Sequence, residues 1–294
     1  MSKGDAQSVD AFKHHPRLWR NCLYVYPVVS RRAEGLSIGV NLNRDQLCNF
    51  GCIYCQVDRT GACTREPVNL SRLKDELLVA LEAANSGEIW NEPRFADVPE
   101  HLRRINDIAF SGDGEPSASP SFVQAVELAA EVRSKTGSDS LKIVLITNAT
   151  LLHQPRVMQA LAIMDKSNGQ VWAKLDAGSE EYFHRVNTPT PTITLHRVLD
   201  NILVTARQRE IVIQTLLLKI DGKAITQDEL DLYCRNIREL VAGGAKIGLI
   251  QLHTVARQAP TPSVTALDDE ELIAFANHVR ENIHPVAVKA YTSK

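Results

Sequence analysis

Three cysteines, Cys48, Cys52 and Cys55, stand in the run Cys-Asn-Phe-Gly-Cys-Ile-Tyr-Cys, with three residues in the first gap and two in the second. Thiolates so spaced on one tight loop can each hold one iron of a cubane iron–sulfur cluster. Such clusters ordinarily take four cysteines, so a set of three leaves one iron open to an exogenous ligand. Gly51 is expected to let the loop curl with its backbone close to the cluster. Structural zinc is the alternative, and it ordinarily wants four ligands in two separated pairs. Cys63 could supply a fourth, at a spacing that matches no standard zinc pattern. Free cysteines also serve as small core residues, but three thiols on one polar segment fit that reading poorly.

The elements around this loop follow from periodicity. Apolar runs at Leu36–Leu42, Ile105–Phe110, Lys142–Thr147, Val171–Asp176, Ile211–Leu218 and Ile247–His253 predict strands. Amphipathic helices fill the spaces between them: Leu70, Leu73, Leu77, Leu78 and Leu81 share one face, as do Leu195, Val198, Leu199, Ile202 and Leu203. Ser119-Pro120 offers a helix start with proline at the first helical position. Thr226–Glu229 and Asp268–Glu271 read as capping boxes. Strict strand–helix alternation implies parallel strands with right-handed crossovers. Six units are too few to close an eight-stranded barrel, so the expected fold is α/β: a partial (β/α)6 TIM-like barrel over residues 36–258, with an N-terminal extension (1–35) and a C-terminal helical extension (259–294). A short strand at Val286–Tyr291 is expected in the tail.

Active sites of parallel αβ barrels form at the C-terminal ends of the strands. The cysteine loop lies at the end of the first. The second ends in Ser-Gly-Asp-Gly-Glu-Pro, where Gly112 and Gly114 permit close backbone approach and Asp113 and Glu115 bring carboxylates. The third ends at Asn148 and the fourth at Lys174 and Asp176; Gln251, His253 and Arg257 close the sixth. Polar groups thus gather on one rim.

Composition bounds the remaining possibilities. The 294 residues carry 33 Lys+Arg against 35 Asp+Glu, and 44% are hydrophobic, which excludes a disordered chain. No apolar run approaches the ~20 residues of a membrane span, and no signal peptide is evident. Clustered cysteines in such a chain point to metal chemistry in a reducing cytoplasm rather than to disulfides.

The Cys-x-x-x-Cys-x-x-Cys loop with Tyr54 before its last cysteine, together with Gly112-Asp-Gly-Glu-Pro116, resembles the radical S-adenosylmethionine (SAM) superfamily. Val40–Asn43, Phe110–Pro116, Lys174–Ala177 and Phe183–Pro189 resemble its wyosine-synthase-like branch, which modifies tRNA. The resemblance implies that Cys48, Cys52 and Cys55 hold a [4Fe–4S] cluster whose open iron chelates SAM. Reductive cleavage of SAM would then give a 5′-deoxyadenosyl radical that abstracts a substrate hydrogen. It implies Tyr54 near the adenine, Gly112, Asp113, Gly114 and Glu115 at the methionine amino group, and Lys174 at its carboxylate. Asn148 and Asp176 would touch ribose or carboxylate. A low-potential flavodoxin or ferredoxin would donate the electron.

For Lys174 and Asp176, an internal ion pair is an equal alternative to ligand binding. Gln251, His253 and Arg257 are candidates for substrate contact, with a satisfied strand-end histidine and an exposed loop arginine as the plainer alternatives. The archaeal wyosine synthases draw three further cysteines from before the main motif; here only Cys22 precedes it, so Cys22, Cys63 and Cys234 are expected to be structural or incidental. RNA binding leans on clustered basic residues. Arg17, Arg20, Arg31 and Arg32 make the N-terminus somewhat basic, whereas the whole chain is slightly acidic. The balance favours a small-molecule or peptide substrate, with tRNA as the alternative and a non-enzymatic iron–sulfur or zinc protein as a third reading.

Overall fold

A computed structural model describes residues 17–59, 66–138 and 140–292. The strands are β1 (Val25–Ser30), β2 (Gly35–Val40), β3 (Ile105–Phe110), β4 (Lys142–Thr147), β5 (Gly169–Lys174) and β6 (Ile211–Leu217). They continue with β7 (Lys219–Ile220), β8 (Ile247–Thr254), β9 (Val264–Thr265) and β10 (Ala287–Tyr291). The helices are α1 (Leu70–Asn85), α2 (Phe122–Lys135), α3 (Pro155–Asp165), α4 (Glu180–Asn187), α5 (Leu195–Gln208), α6 (Gln227–Ala242) and α7 (Asp269–Ile283). None of them is long and apolar enough to cross a membrane.

Eight strands form one curled sheet in the order β1-β2-β3-β4-β5-β6-β8-β10. The six strands expected from periodicity are its parallel centre, and the partial α/β barrel is confirmed. Both faces of these strands are covered, which is why they read as continuous apolar runs. Outward residues such as Ile38, Ile108, Phe110, Ile143 and Leu145 pack against the helices and are fully buried. Inward residues Ala109, Val144, Trp172 and Val212 form a separate cluster inside the barrel. The apolar stripe of α5 buries Leu195, Val198 and Ile202, each worth about 1.5–3 kcal/mol.

The flanks contribute to the sheet. β1, from the basic N-terminal segment, pairs antiparallel with β2, and the expected tail strand is β10, parallel to β8. The β1–β2 turn reaches across to the opposite edge of the sheet. There Arg31 Nη1 donates to the Thr292 carbonyl at 2.5 Å, Arg32 Nη1 donates to His253 Nε2 at 3.1 Å, and Lys289 pairs with Glu34. Side chains thereby bridge the gap that six parallel strands would leave open.

Two helix starts differ from the sequence reading. Ser119 is the exit of a short 3-10 turn over Pro116–Ala118, and α2 begins two residues later behind Ser121. Thr226 caps α6 through the Glu229 N–H, but the Glu229 carboxylate turns away to accept from Gly178 N at 2.6 Å and Ser179 N at 2.9 Å. A tertiary demand for an acceptor at the start of α4 outcompetes the local box. Asp268 and Glu271 do form the reciprocal box at the start of α7.

Candidate active site

The cysteine loop leaves β2 through Asn41-Leu-Asn43, and its conformation is set by long-range backbone contacts. Gly51 N donates to Thr188 O at 2.9 Å, Ile53 N to Val186 O at 3.0 Å, and Thr190 N to Asn49 O at 2.9 Å. Phe50 packs edge-on against Phe183, with ring centroids 5.4 Å apart. The segment Phe183–Pro189, singled out in the sequence without a role, is therefore the clamp on this loop. Gly51 has room for a Cβ, 3.5 Å from Thr188 O, so it is not the residue that lets the loop curl. The left-handed residue on this approach is Gln46, at φ 55°.

Each cysteine sulfur has a nitrogen donor in reach. Phe50 N lies 3.5 Å and Asn148 Nδ2 3.9 Å from Cys48 Sγ. Asn187 Nδ2 lies 3.6 Å from Cys52 Sγ, and Arg59 Nη1 donates to Cys55 Sγ at 3.1 Å. Burial pushes the Cys52 thiol up to about 12 and raises that of Cys48. Thiols in such surroundings stay protonated until a metal displaces the proton. Donors around every sulfur are what a cluster's thiolates require, so the residues present fit a [4Fe–4S] group. No three His, Cys, Asp or Glu side chains among the described residues converge as they would on a single ion. A cubane asks for no such convergence, because each thiolate takes a different iron. Cys22 and Cys234 are buried in the core away from the loop, and burial raises both to about 11. Cys63 lies outside the described residues.

All three cysteines open onto a cavity of about 370 Å³ lined by residues of the strands and of the loops that follow them. Tyr54, Gly112, Gly114, Glu115, Asn148, Lys174, His253 and Arg257 also line it, whereas Asp113, Asp176 and Gln251 do not. Asp113 is paired with Arg17 and accepts from Asn41 Nδ2 at 2.5 Å. Gly112 and Gly114 make the close approach that the sequence suggested, but to the chain itself. A Cβ on Gly114 would sit 2.0 Å from Leu47 O, and one on Gly112, at φ 143°, 2.5 Å from Asn41 Oδ1. The loop after β3 is thus keyed onto the cysteine loop.

Glu115 is fully buried and its carboxylate is consumed inside the protein. It accepts from Ser117 Oγ at 2.5 Å, Thr147 Oγ1 at 2.7 Å and Asn148 N at 2.8 Å. Burial raises its pKa, and those bonds pull it back. Asp176 is equally engaged, accepting from Tyr54 OH, from Asn187 Nδ2 at 2.9 Å and from Leu216 N at 2.8 Å. Lys174 Nζ lies 3.3 Å from Asp176 Oδ1 and 5.3 Å from the centre of the Tyr54 ring, so the internal ion pair exists and the ammonium still faces the cavity. Burial, then Asp176 and Cys52, raise the Tyr54 phenol well above its ordinary range, so it remains a donor. Gln251 is buried, accepting from Gln214 Nε2 at 3.2 Å.

Sequence reasoning missed Arg59, Asn187, Asn41 and Arg17. Their partners lie elsewhere in the chain, and no periodicity marks them. Asn187 and Asn41 had a signal, their places in the segments Phe183–Pro189 and Val40–Asn43.

Among known proteins, a 26% identical relative, "GTPase Obg" of Brachyspira hyodysenteriae, aligns over 248 residues, 84% of this chain and 32% of its own. A "UPF0026 protein" of Helicobacter pylori, also 26% identical, aligns over 84% of this chain and 70% of its own. The chain thus spans only about a third of the first relative. A radical SAM methyltransferase from Sphaerobacter thermophilus superposes with a TM-score of 0.61 at 12% identity, covering 91% of this chain and 69% of that one. Streptococcus suis SuiB gives 0.58 at 13% identity, covering 88% and 51%. These two show the shared fold. The family model "Radical SAM superfamily" matches residues 45–221, from the cysteine loop through β7 and well over half of the sequence, and on that match this chain belongs to the radical SAM superfamily.

Proposed function

We propose that the chain carries a [4Fe–4S] cluster on Cys48, Cys52 and Cys55 and cleaves SAM reductively, so that a hydrogen is abstracted from a small-molecule or peptide substrate in the same cavity. The observation that carries this reading is that three sulfurs, each with its own donor, open onto one walled cavity shared with Tyr54, Gly112, Gly114 and Lys174. When bound, the cluster supplies the electron that breaks the sulfonium of SAM, giving methionine and a 5′-deoxyadenosyl radical. The electron comes from a low-potential donor of the flavodoxin or ferredoxin class.

The chain's own residues bind, orient and exclude water. Gly112 and Gly114 line the cavity with backbone, their Cα positions packed against Asn41 and Leu47, which suits a close approach by the methionine end of SAM. Lys174 offers that ligand's carboxylate a cation at the cost of loosening its pair with Asp176. Tyr54, anchored through its hydroxyl, offers a ring face to the adenine. Asp113, Glu115 and Asp176 act through other residues, holding the walls in place. The wyosine-like segment Phe183–Pro189 is accounted for by its clamp on the cysteine loop, and such a support is useful whatever the substrate.

The test is anaerobic. The protein is reconstituted with iron and sulfide, reduced and mixed with SAM, and 5′-deoxyadenosine is measured beside the electron paramagnetic resonance spectrum. A signal perturbed by SAM, with deoxyadenosine formed in the parent protein and absent in Cys52→Ala, is the expected result. Cleavage retained in Cys52→Ala would overturn the assignment, as would a stable zinc site on the same cysteines with no cleavage.

A further inference from the structure

One stretch of the cavity wall is strongly basic. Arg31, Arg32, His253 and Arg257 line it, with Tyr291 beside them, and Arg32 meets His253 and feels Arg31 and Arg257. Several basic groups of the cavity wall already have partners: Arg17 pairs with Asp113, Lys174 with Asp176, Arg59 donates to Cys55 and Arg31 to the Thr292 carbonyl. Arg32 and Arg257 form no ion pair with any carboxylate among the described residues. Burial pushes the Arg32 guanidinium down to about 10, and burial together with Arg17 lowers that of Arg257, yet both stay cationic near neutrality. A sequestered cation without a counterion is costly to keep, and the cost is relieved when an anion arrives.

The histidine adds a directed donor. An arginine can only donate, so the contact from Arg32 Nη1 to His253 Nε2 at 3.1 Å fixes Nε2 as the acceptor and puts the ring proton on Nδ1. His253 is 9% exposed, and its Nδ1 is buried with no hydrogen-bond partner, although the Gln251 backbone pulls weakly on the ring. Burial, Arg32 and Lys174 hold the ring far below its ordinary range, so it stays a neutral N–H donor. Asp107, one acid of the cavity wall, accepts from Ser37, while Asp269 acts on Arg31. The other acid of the wall, Glu115, is consumed by its own bonds.

We propose that Arg32, Arg257 and His253 form a subsite for an oxyanion group of the substrate, a phosphate or a carboxylate, in the cavity that the cysteines also line. The idea deepens the functional reading above and rests on it, since it takes the group bound there to belong to the molecule that loses a hydrogen. Guanidinium groups recognise both oxyanions through paired N–H donors. The methionine carboxylate of SAM is the competing source of such a group.

Binding is tested on the full-length protein before cluster reconstitution, with inorganic phosphate followed by ³¹P line broadening and acetate by saturation-transfer NMR. The parent protein is expected to bind at least one of the two, and the stronger ligand identifies the class. Arg257→Gln and His253→Ala should each weaken binding by about tenfold or more, with Arg235→Gln on the outer face of α6 unchanged; thermal melts of each variant check the fold. Binding of neither anion, or equal binding by all variants, overturns the subsite. So does a loss of SAM affinity in reconstituted Arg257→Gln with phosphate and acetate binding intact, because the arginine would then serve the cofactor. Arginine-dependent anion binding in a protein that forms no deoxyadenosine would instead defeat the functional reading and leave the anion site standing.

Discussion

Arg59 Nη1 donates to Cys55 Sγ at 3.1 Å, while its Nη2 donates to the Asp113 carbonyl at 3.1 Å and its Nε to the Gln46 carbonyl, also at 3.1 Å. One guanidinium therefore joins the last cysteine, the approach to the cysteine loop and the loop after β3. Nearby cationic donors favour the more negative state of an iron–sulfur cluster. Arg59→Gln should lower the cluster's reduction potential by some tens of millivolts, the order of one charge-assisted hydrogen bond. A redox titration followed by electron paramagnetic resonance reads this directly. An unchanged potential would mean that Arg59 only braces the loop.

Asp176 joins strand ends in the same way. Its side chain is fully buried and ties Tyr54, Asn187, Leu216 and Lys174 together. Removing one partner from such a network leaves the others unpaired, at a cost of about 3–5 kcal/mol. Asp176→Ala should melt well below the parent protein and take up less than a full complement of iron, because Tyr54 and Asn187 lose the anchor that holds them over Cys52. Asp176→Asn keeps one of the two acceptor oxygens and the side-chain volume, and should lose less. Equal melting of the two variants would argue that the charge, and not the hydrogen-bond network, does the anchoring.

The glycines divide sharply. Gly114→Ala would drive a Cβ to 2.0 Å from a backbone oxygen of the cysteine loop, whereas Gly51→Ala meets only ordinary contacts. A backbone clash cannot be relieved by a rotamer change. Gly114→Ala should therefore lose more than about 3 kcal/mol and load iron poorly. Gly51→Ala should be neutral or slightly stabilising through the unfolded chain. Iron content per chain and a denaturant melt settle both. The opposite ranking would show that the loop's curl, and not its docking, is what glycine serves.

The central strands were legible because both of their faces are buried, which writes an unbroken apolar run into the sequence. Ile105–Phe110 and Lys142–Thr147 match to the residue. The cysteine loop was legible because its three cysteines are neighbours in the chain. What periodicity does not carry is a contact between residues far apart in sequence. Arg17 and Asn41 both meet Asp113, and Arg32 meets His253 across 221 positions. Asp113 and Asp176 looked like cavity carboxylates because a strand-end acid is equally suited to bind a ligand or to hold its neighbours. Glu115 lines the cavity yet spends its oxygens on its neighbours, and only the folded partners decide between the two uses. Gly51 and Ser119 misled for the opposite reason, since each carries a strong local signal that the tertiary structure does not use.

Asp107 offers a pH-dependent test of the barrel interior. It is buried, accepts from Ser37 Oγ, and burial raises its carboxyl from 3.8 to about 6. From roughly pH 4 to pH 6 the folded chain therefore holds a proton that the unfolded chain has released. Stability contributed by this group must fall as pH rises through that window, and the full cost stands above the folded value. Asp107→Asn keeps an acceptor for Ser37 and removes the charge. The variant should be more stable than the parent by about 1–3 kcal/mol at pH 8, with the advantage shrinking to nothing by about pH 4. Denaturant melts of the two proteins at both values measure it. A gain that is the same at both pH values would show that the Asp107 carboxyl is not the group being relieved.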